Sequence, residues 1–152
     1  KYTNVTRNGE AGSNLDHVDT DFPMFRLADV YLMYAEATLR GASNGDRATS
    51  LNYLNAIKER AYGDVSANIS DAGLTLDYIL EERGRELYFE GHRRIDLIRF
   101  NKFSDRAGAD ELIWDWKGQA IDGSSVPSYL EIFPIPSSEL GVNSNLIQNE
   151  GY

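Results

Sequence analysis

The stretch TLDYILEERGRELYFEGHRRIDLIRFNKF, residues 75–103, decides how the rest of this chain is interpreted. Between positions 75 and 106 the sequence carries seven acidic and seven basic residues, whereas the whole chain has a formal net charge of −9. An electrically balanced segment inside an acidic chain indicates that its charges are paired within the fold.

A helical wheel places two of these charges inside an apolar stripe. At about 100° per residue, Arg83 and Glu90 share a face with four aliphatic residues, which are Leu76, Ile79, Leu80 and Leu87. Because removing an ion from water is costly unless the ion is paired, we expect Arg83 and Glu90 to form structural ion pairs inside the fold. The alternative is a solvated charged face held by pairs one helical turn apart, such as Glu81 with Arg85.

The same wheel suggests that this helix packs on two faces. Tyr78 and Phe89 lie nearly opposite the aliphatic stripe. Thr75 is a suitable N-cap, and Gly91 is expected to end the helix. A shorter helix is predicted in the following stretch, residues 92–103.

Two further helices are predicted upstream. The first covers residues 25–40, with Asp21 as its cap, Pro23 at its entry and Gly41 at its end. Apolar residues cover most of its circumference, so we expect this helix to be largely buried.

The second predicted helix begins at Asp46, runs to Tyr62 and ends at Gly63. Together with the first helix it forms a helical hairpin. Its inward positions are predicted to be Ala48, Leu51, Leu54 and Ala61.

The predicted fold class is all-α, with tetratricopeptide (TPR)-like helical hairpins over residues 21–103. Residues 1–20 form an irregular lead-in, and residues 104–152 form a long irregular loop followed by an extended C-terminal tail. Ser137 is expected to cap one helical turn in that tail. The tail residues expected to pack along the helices are Leu130, Ile132, Phe133 and Ile135.

Composition excludes several classes of function. The excess of nine acidic charges argues against nucleic-acid binding, which depends on Lys and Arg. The absence of cysteine excludes a thiol nucleophile and cysteine-ligated zinc. No run reaches the roughly 18 apolar residues of a membrane span, and no phosphate-binding or dinucleotide motif implies a cofactor.

The few candidate chemical groups favour structural roles. The acidic group at positions 16–21, which includes His17, lacks a calcium-loop signature, so no metal site is predicted. His92 is interpreted as a structural residue. Glu81 and Glu86 could serve glycoside hydrolysis, but basic partners at helical spacing favour ion pairs, and no catalytic residue is assigned.

Both tryptophans, Trp114 and Trp116, lie in the predicted long loop. An exposed indole is a flat apolar platform with a polar edge, which suits a ligand-binding surface. The alternative is that both side chains anchor the loop onto the helices.

Four segments, in order, resemble one known family, the SusD/RagB-like proteins, in their C-terminal portion. They are DTDFPMFRLADVYLMYAEA at 19–37, LNAIKERA at 54–61, ERGRELYFEGHRRIDLIRF at 82–100 and FPIPSSELGVNSNLIQNEGY at 133–152. The resemblance implies that Tyr152 is a natural C-terminus and that an N-terminal part is missing from this chain.

The resemblance also implies an outward-facing outer-membrane lipoprotein that binds oligosaccharide or polysaccharide. Such a protein delivers glycans to a SusC-like TonB-dependent transporter, is not an enzyme, and touches the membrane only through a lipid anchor absent from this chain. The matched segments are expected to be mainly scaffold. The alternative from the residues is a stand-alone TPR-like protein-interaction module.

Overall fold

The computed structural model describes residues 3–6, 8–14, 16–105 and 126–152. In these residues the regular elements are α1 Leu27–Leu39, α2 Arg47–Tyr62, α3 Leu76–Glu86, α4 Arg93–Arg99 and α5 Ser137–Val142, with short 3-10 helices at Asp71–Gly73 and Ser128–Glu131. The predicted all-α class is confirmed. The chain divides into two compact units, Lys1–Arg93 and Arg94–Tyr152.

Helix α1 begins later than predicted. Its N-cap position is occupied by Arg26, whose backbone is extended and whose side chain does not cap the helix. The predicted cap at Asp21 is therefore wrong. The helix ends at Leu39, and Gly41 then adopts a left-handed φ of 93°, which glycine tolerates without steric cost.

Helix α2 has the predicted ends. The carboxylate of Asp46 accepts a hydrogen bond from the amide of Thr49 at 2.7 Å, and Gly63 ends the helix in the left-handed conformation, with φ at 83°. The predicted inward face is only partly right. Leu54 is buried, but Ala48 and Ala61 are exposed, because the buried face is centred instead on Ser50, Leu54, Ile57 and Lys58.

A compact core holds α1, α2 and α3 together in the first unit. Leu74 enters it from the loop that precedes Thr75, whose hydroxyl caps α3 by accepting a bond from the amide of Tyr78 at 3.1 Å. The buried members of this core are Leu32, Ala35, Leu54, Ile57, Leu74 and Ile79.

Helix α3 ends at Glu86, before the predicted stop at Gly91. Phe89, in the turn that follows, has a φ of 61° and is 68% exposed. It is therefore neither in the helix nor packed on a second face of it. The two-sided packing predicted from Tyr78 and Phe89 is wrong for Phe89, whereas Tyr78 packs against the core.

Residues 94–99 of the predicted short helix, α4, belong to the second unit, together with the tail. Ser137 is the first residue of α5, with Pro136 at the cap position, so the predicted serine cap is wrong. Ile132 and Phe133 are 51% and 72% exposed. The expected packing of the tail along the helices is seen for Phe133, whose ring centroid lies 4.3 Å from the guanidinium of Arg94 in α4. None of the described helices is long and apolar enough to cross a membrane.

The end of the tail is held by side chains that bond to the backbone of residues 132–135. The amide group of Gln148 bonds both the N–H and the carbonyl of Ile135, at 2.8 and 2.9 Å. The hydroxyl of Tyr152 donates to the carbonyl of Ile132 at 2.7 Å. These bonds run from side chains to the backbone, and they attach the chain end to residues 132–135.

Candidate functional site

A buried ion pair joins Arg83 of α3 to Asp29 of α1. Nη1 of Arg83 lies 2.7 Å from Oδ1 of Asp29, and the two side chains are 3% and 9% exposed. Since both ions are removed from water, each depends on the other for its charge to be tolerated there. The pair therefore fixes α3 against α1.

A second cluster is built around Arg26, immediately before α1. Its Nε donates to Glu90 and its Nη1 to Glu86, both at 2.8 Å, while its Nη2 donates to the backbone carbonyl of Glu86 at 2.9 Å. Arg60 of α2 donates to the other carboxylate oxygen of Glu86. The planar fork of arginine suits such multiple contacts, and the cluster joins parts of all three helices.

Glu90 lies in the turn after α3. Its side chain is 1% exposed and lies beside Arg26. The structure thus gives Arg83 and Glu90 different partners, Asp29 and Arg26, which both lie at the beginning of α1. Sequence reasoning named neither partner, although Arg26 and Asp29 stand three residues apart beside an otherwise apolar run.

A third cluster lies between α2 and α3. Nζ of Lys58, a buried residue, is 3.9 Å from Glu82 and lies over the rings of Tyr62 and Tyr78, at 5.3 and 5.5 Å from their centroids. Arg85 bonds the same carboxylate of Glu82 at 2.9 Å. Burial opposes the charged form of Arg85, but the bond and charge of Glu82 outweigh it and raise the pKa of Arg85.

These contacts bear on the hydrolase hypothesis. Both carboxylate oxygens of Glu86 are bonded to arginines, and Glu81 lies 3.3 Å from Arg85. A general acid or base has to reach the substrate with a carboxylate oxygen, and both oxygens of Glu86 are engaged by arginines. Glu86 is thus part of ion pairs between helices, and Glu81 is part of an ion pair within α3.

The remaining candidates from the sequence are the acidic group at positions 16–21, His92 and the two tryptophans. Asp19 accepts bonds from the hydroxyl and the amide of Ser13, and these bonds lower its pKa. No cluster of three or more potential metal ligands occurs in the part of the chain that the structure describes. His92 is half-buried. Trp114 and Trp116 lie outside the described residues.

A groove of about 350 Å³ runs between α1 and α2. Arg26 and Arg60 supply the charged part of its lining, and the rest of the lining is Leu27, Ala28, Tyr31, Ala56 and Ile57. The ring of Tyr31 stacks on that of Tyr53 with centroids 4.2 Å apart. The sequence patterns did not predict this groove, because it depends on how two helices meet.

Comparison with known proteins gives a consistent result. The family model described as the SusD family matches residues 1–152. The starch-binding protein SusD of Bacteroides thetaiotaomicron is 39% identical over 154 aligned positions, which cover 100% of this chain and 25% of that protein. A SusD-like protein of Formosa agariphila is 35% identical, over 85% of this chain and 24% of its own length.

Solved structures agree with the helical, TPR-like fold. A SusD superfamily protein from Bacteroides vulgatus is 31% identical with a TM-score of 0.66, over 93% of this chain and 30% of that one. Surface glycan-binding protein A from Bacteroides thetaiotaomicron, solved with laminarihexaose, is 29% identical with a TM-score of 0.67, over 93% of this chain and 27% of that one. The chain spans about a quarter of the length of the curated relatives it matches.

Proposed function

The chain belongs to the SusD family, and on that premise we propose that it is part of a cell-surface glycan-binding protein that delivers oligosaccharides to a SusC-like TonB-dependent transporter. The observation that carries the proposal is the 39% identity to a starch-binding protein over the whole of this chain. In this proposal the protein binds its glycan and releases it unchanged.

This portion of the protein acts mainly as scaffold. Charged residues in the stretch 75–103 form ion pairs that connect it to the beginning of α1, such as Arg83 with Asp29 and Glu90 with Arg26. The chain spans about a quarter of its curated relatives, and the glycan-binding residues lie in the remainder of the longer polypeptide. The ion pairs hold the helices on which that remainder rests.

The proposed location is the outer face of the outer membrane, with a lipid anchor outside this chain. Delivery to a transporter requires the protein to be present on that surface and in contact with its partner. Protease treatment of intact cells should therefore degrade the longer polypeptide, and purification from detergent-solubilised outer membranes should recover a TonB-dependent transporter with it.

Glycan binding is tested by affinity electrophoresis of the longer polypeptide through gels that contain starch, laminarin or another polysaccharide. The expected result is retarded migration in at least one gel, with no shortening of the polysaccharide. Unchanged migration across a broad panel of polysaccharides would contradict the proposed function. Release of shorter oligosaccharides that is lost in Glu86→Gln would favour the hydrolase hypothesis instead.

A further inference from the structure

In helix α1 the charged residues are buried and the exposed residues are apolar, which is the opposite of a typical surface helix. Its only charged residues, Asp29 and Glu36, are both buried, at 6% and 5% exposure. All of its exposed positions are apolar, and these are Leu27, Val30, Met33 and Ala37. A surface helix normally shows the opposite arrangement, with charges facing water.

The exposed positions form one continuous stripe, which we name the α1 stripe and define as Leu27, Val30, Met33 and Ala37. Their spacings of three, three and four residues put them on the same side of the helix. Leu27, Val30 and Met33 are 64%, 49% and 45% exposed. Ten of the 13 residues of α1 are apolar, which is the composition of a helix that is buried on all sides.

The apolar surface continues into the residues before the helix. Phe22, Met24 and Phe25 are 58%, 75% and 83% exposed. Large contiguous apolar patches are uncommon on the free surface of soluble proteins and mark sites of contact. The α1 stripe carries no charge and almost no polar group, so it suits an apolar protein segment rather than a carbohydrate.

The charges that would normally face water are directed into the first unit. Asp29 pairs with Arg83 at 2.7 Å, and Glu36 pairs with Arg40 at 2.8 Å. The buried side of α1 is thus held by ion pairs together with Leu32 and Ala35. Rotating α1 to bring its stripe inward would break the Asp29–Arg83 pair, so the stripe stays on the outer side of the helix.

We propose that the α1 stripe is an internal interface of the longer polypeptide, covered by an apolar helical segment from the part that this chain does not include. The length of that part supports this occupant, since the chain spans only about a quarter of its curated relatives. A TPR-like fold stacks each helical hairpin on its neighbour, and an uncharged helix face is the surface that such stacking uses. The inference rests on the family assignment and is independent of which glycan is bound.

The test uses cysteine protection in the longer polypeptide, to which residues 1–152 contribute no cysteine. Met33→Cys and Ala37→Cys introduce single thiols on the α1 stripe. Asn52→Cys, at an exposed polar position of α2, is the matched control. The rate of reaction with N-ethylmaleimide is measured in the native and the urea-unfolded protein, at two protein concentrations.

We expect native Met33→Cys and Ala37→Cys to react at least about tenfold more slowly than their unfolded forms, since a covered thiol reacts only after local opening. Asn52→Cys should react at similar rates in both states. Reaction of both stripe thiols at the rate of the control would overturn the proposal. Protection that weakens on dilution would also overturn it, because the cover would then be a second copy. If the unsubstituted protein binds no glycan, only the proposed function is contradicted.

Discussion

Oε2 of Glu90 accepts a hydrogen bond from Nε of Arg26 at 2.8 Å, although 64 residues separate the two positions. The bond joins the turn after α3 to the residue that precedes α1. The side chain of Glu90 is 1% exposed, and pairing with Arg26 helps to offset the cost of burying its charge. The acidic and basic residues of the central stretch therefore hold helices together.

Arg83→Met should destabilise the fold strongly, because it leaves the buried carboxylate of Asp29 without its cation. We expect the free energy of unfolding to fall by about 3–5 kcal/mol, measured by urea denaturation. Glu81→Gln breaks the exposed pair with Arg85 and should cost less than about 1 kcal/mol. Equal losses in the two variants would contradict this account, and Arg83→Met combined with Asp29→Leu should recover much of the loss.

Gly63→Ala tests the left-handed end of α2. A side chain at a φ of 83° is strained, so we expect a loss of about 1–2 kcal/mol in the free energy of unfolding. Gly141→Ala is the matched control, because Gly141 lies within α5 and a Cβ there meets open space. That change should leave stability unchanged or raise it by about 0.4–1 kcal/mol. A stabilising effect of Gly63→Ala would disprove the assigned helix end.

Tyr152→Phe removes only the hydroxyl that bonds the carbonyl of Ile132. The expected loss in the free energy of unfolding is about 0.5–1.5 kcal/mol, and hydrogen exchange of residues 143–152 should become faster. Tyr62→Phe provides the control, since Tyr62 is 63% exposed and keeps its ring beside Lys58. If both variants exchange like the unsubstituted protein, the hydroxyl does not hold the chain end.

Asp46 gives a prediction about pH. The hydroxyl and amide of Thr49 bond its carboxylate and lower its pKa from the usual 3.8, so the ionised form stabilises the fold. This contribution is complete above the unfolded pKa of about 4 and is lost as the pH falls through the folded value. Asp46→Asn cannot titrate, so the urea midpoints of the two proteins should change relative to each other only in that acidic range. A constant difference throughout would contradict the assignment.

Local chemistry in the sequence predicted some helix ends correctly. Asp46 and Thr75 are short polar residues before helical patterns, and Gly63 can adopt a left-handed conformation, so each signal is contained in a few neighbouring residues. The end of α3 was missed: the chain leaves the helix at Leu87, and Phe89 then adopts a positive φ that aromatic residues rarely take. No local pattern indicates that exception.

The sequence predicted that Arg83 and Glu90 are buried in ion pairs, but it did not predict which residues are their partners. The wheel showed that Arg83 lies among aliphatic residues, which indicates a need for a counter-ion. Its partner Asp29 lies 54 residues away, and only the packing of α3 on α1 brings them together. Apolar residues over most of the circumference of α1 predicted a largely buried helix, whereas among the described residues the buried side is the one that carries Asp29 and Glu36.

The most direct test of the central claim, that the charges of residues 75–103 are structural, is a paired measurement on Glu90→Gln in the longer polypeptide. The free energy of unfolding should fall by about 1.5–3 kcal/mol, because Arg26 loses one charged hydrogen-bond partner while it keeps Glu86. The dissociation constant for the bound glycan, measured where the variant is fully folded, should be unchanged. Unchanged stability together with lost glycan binding would contradict the claim.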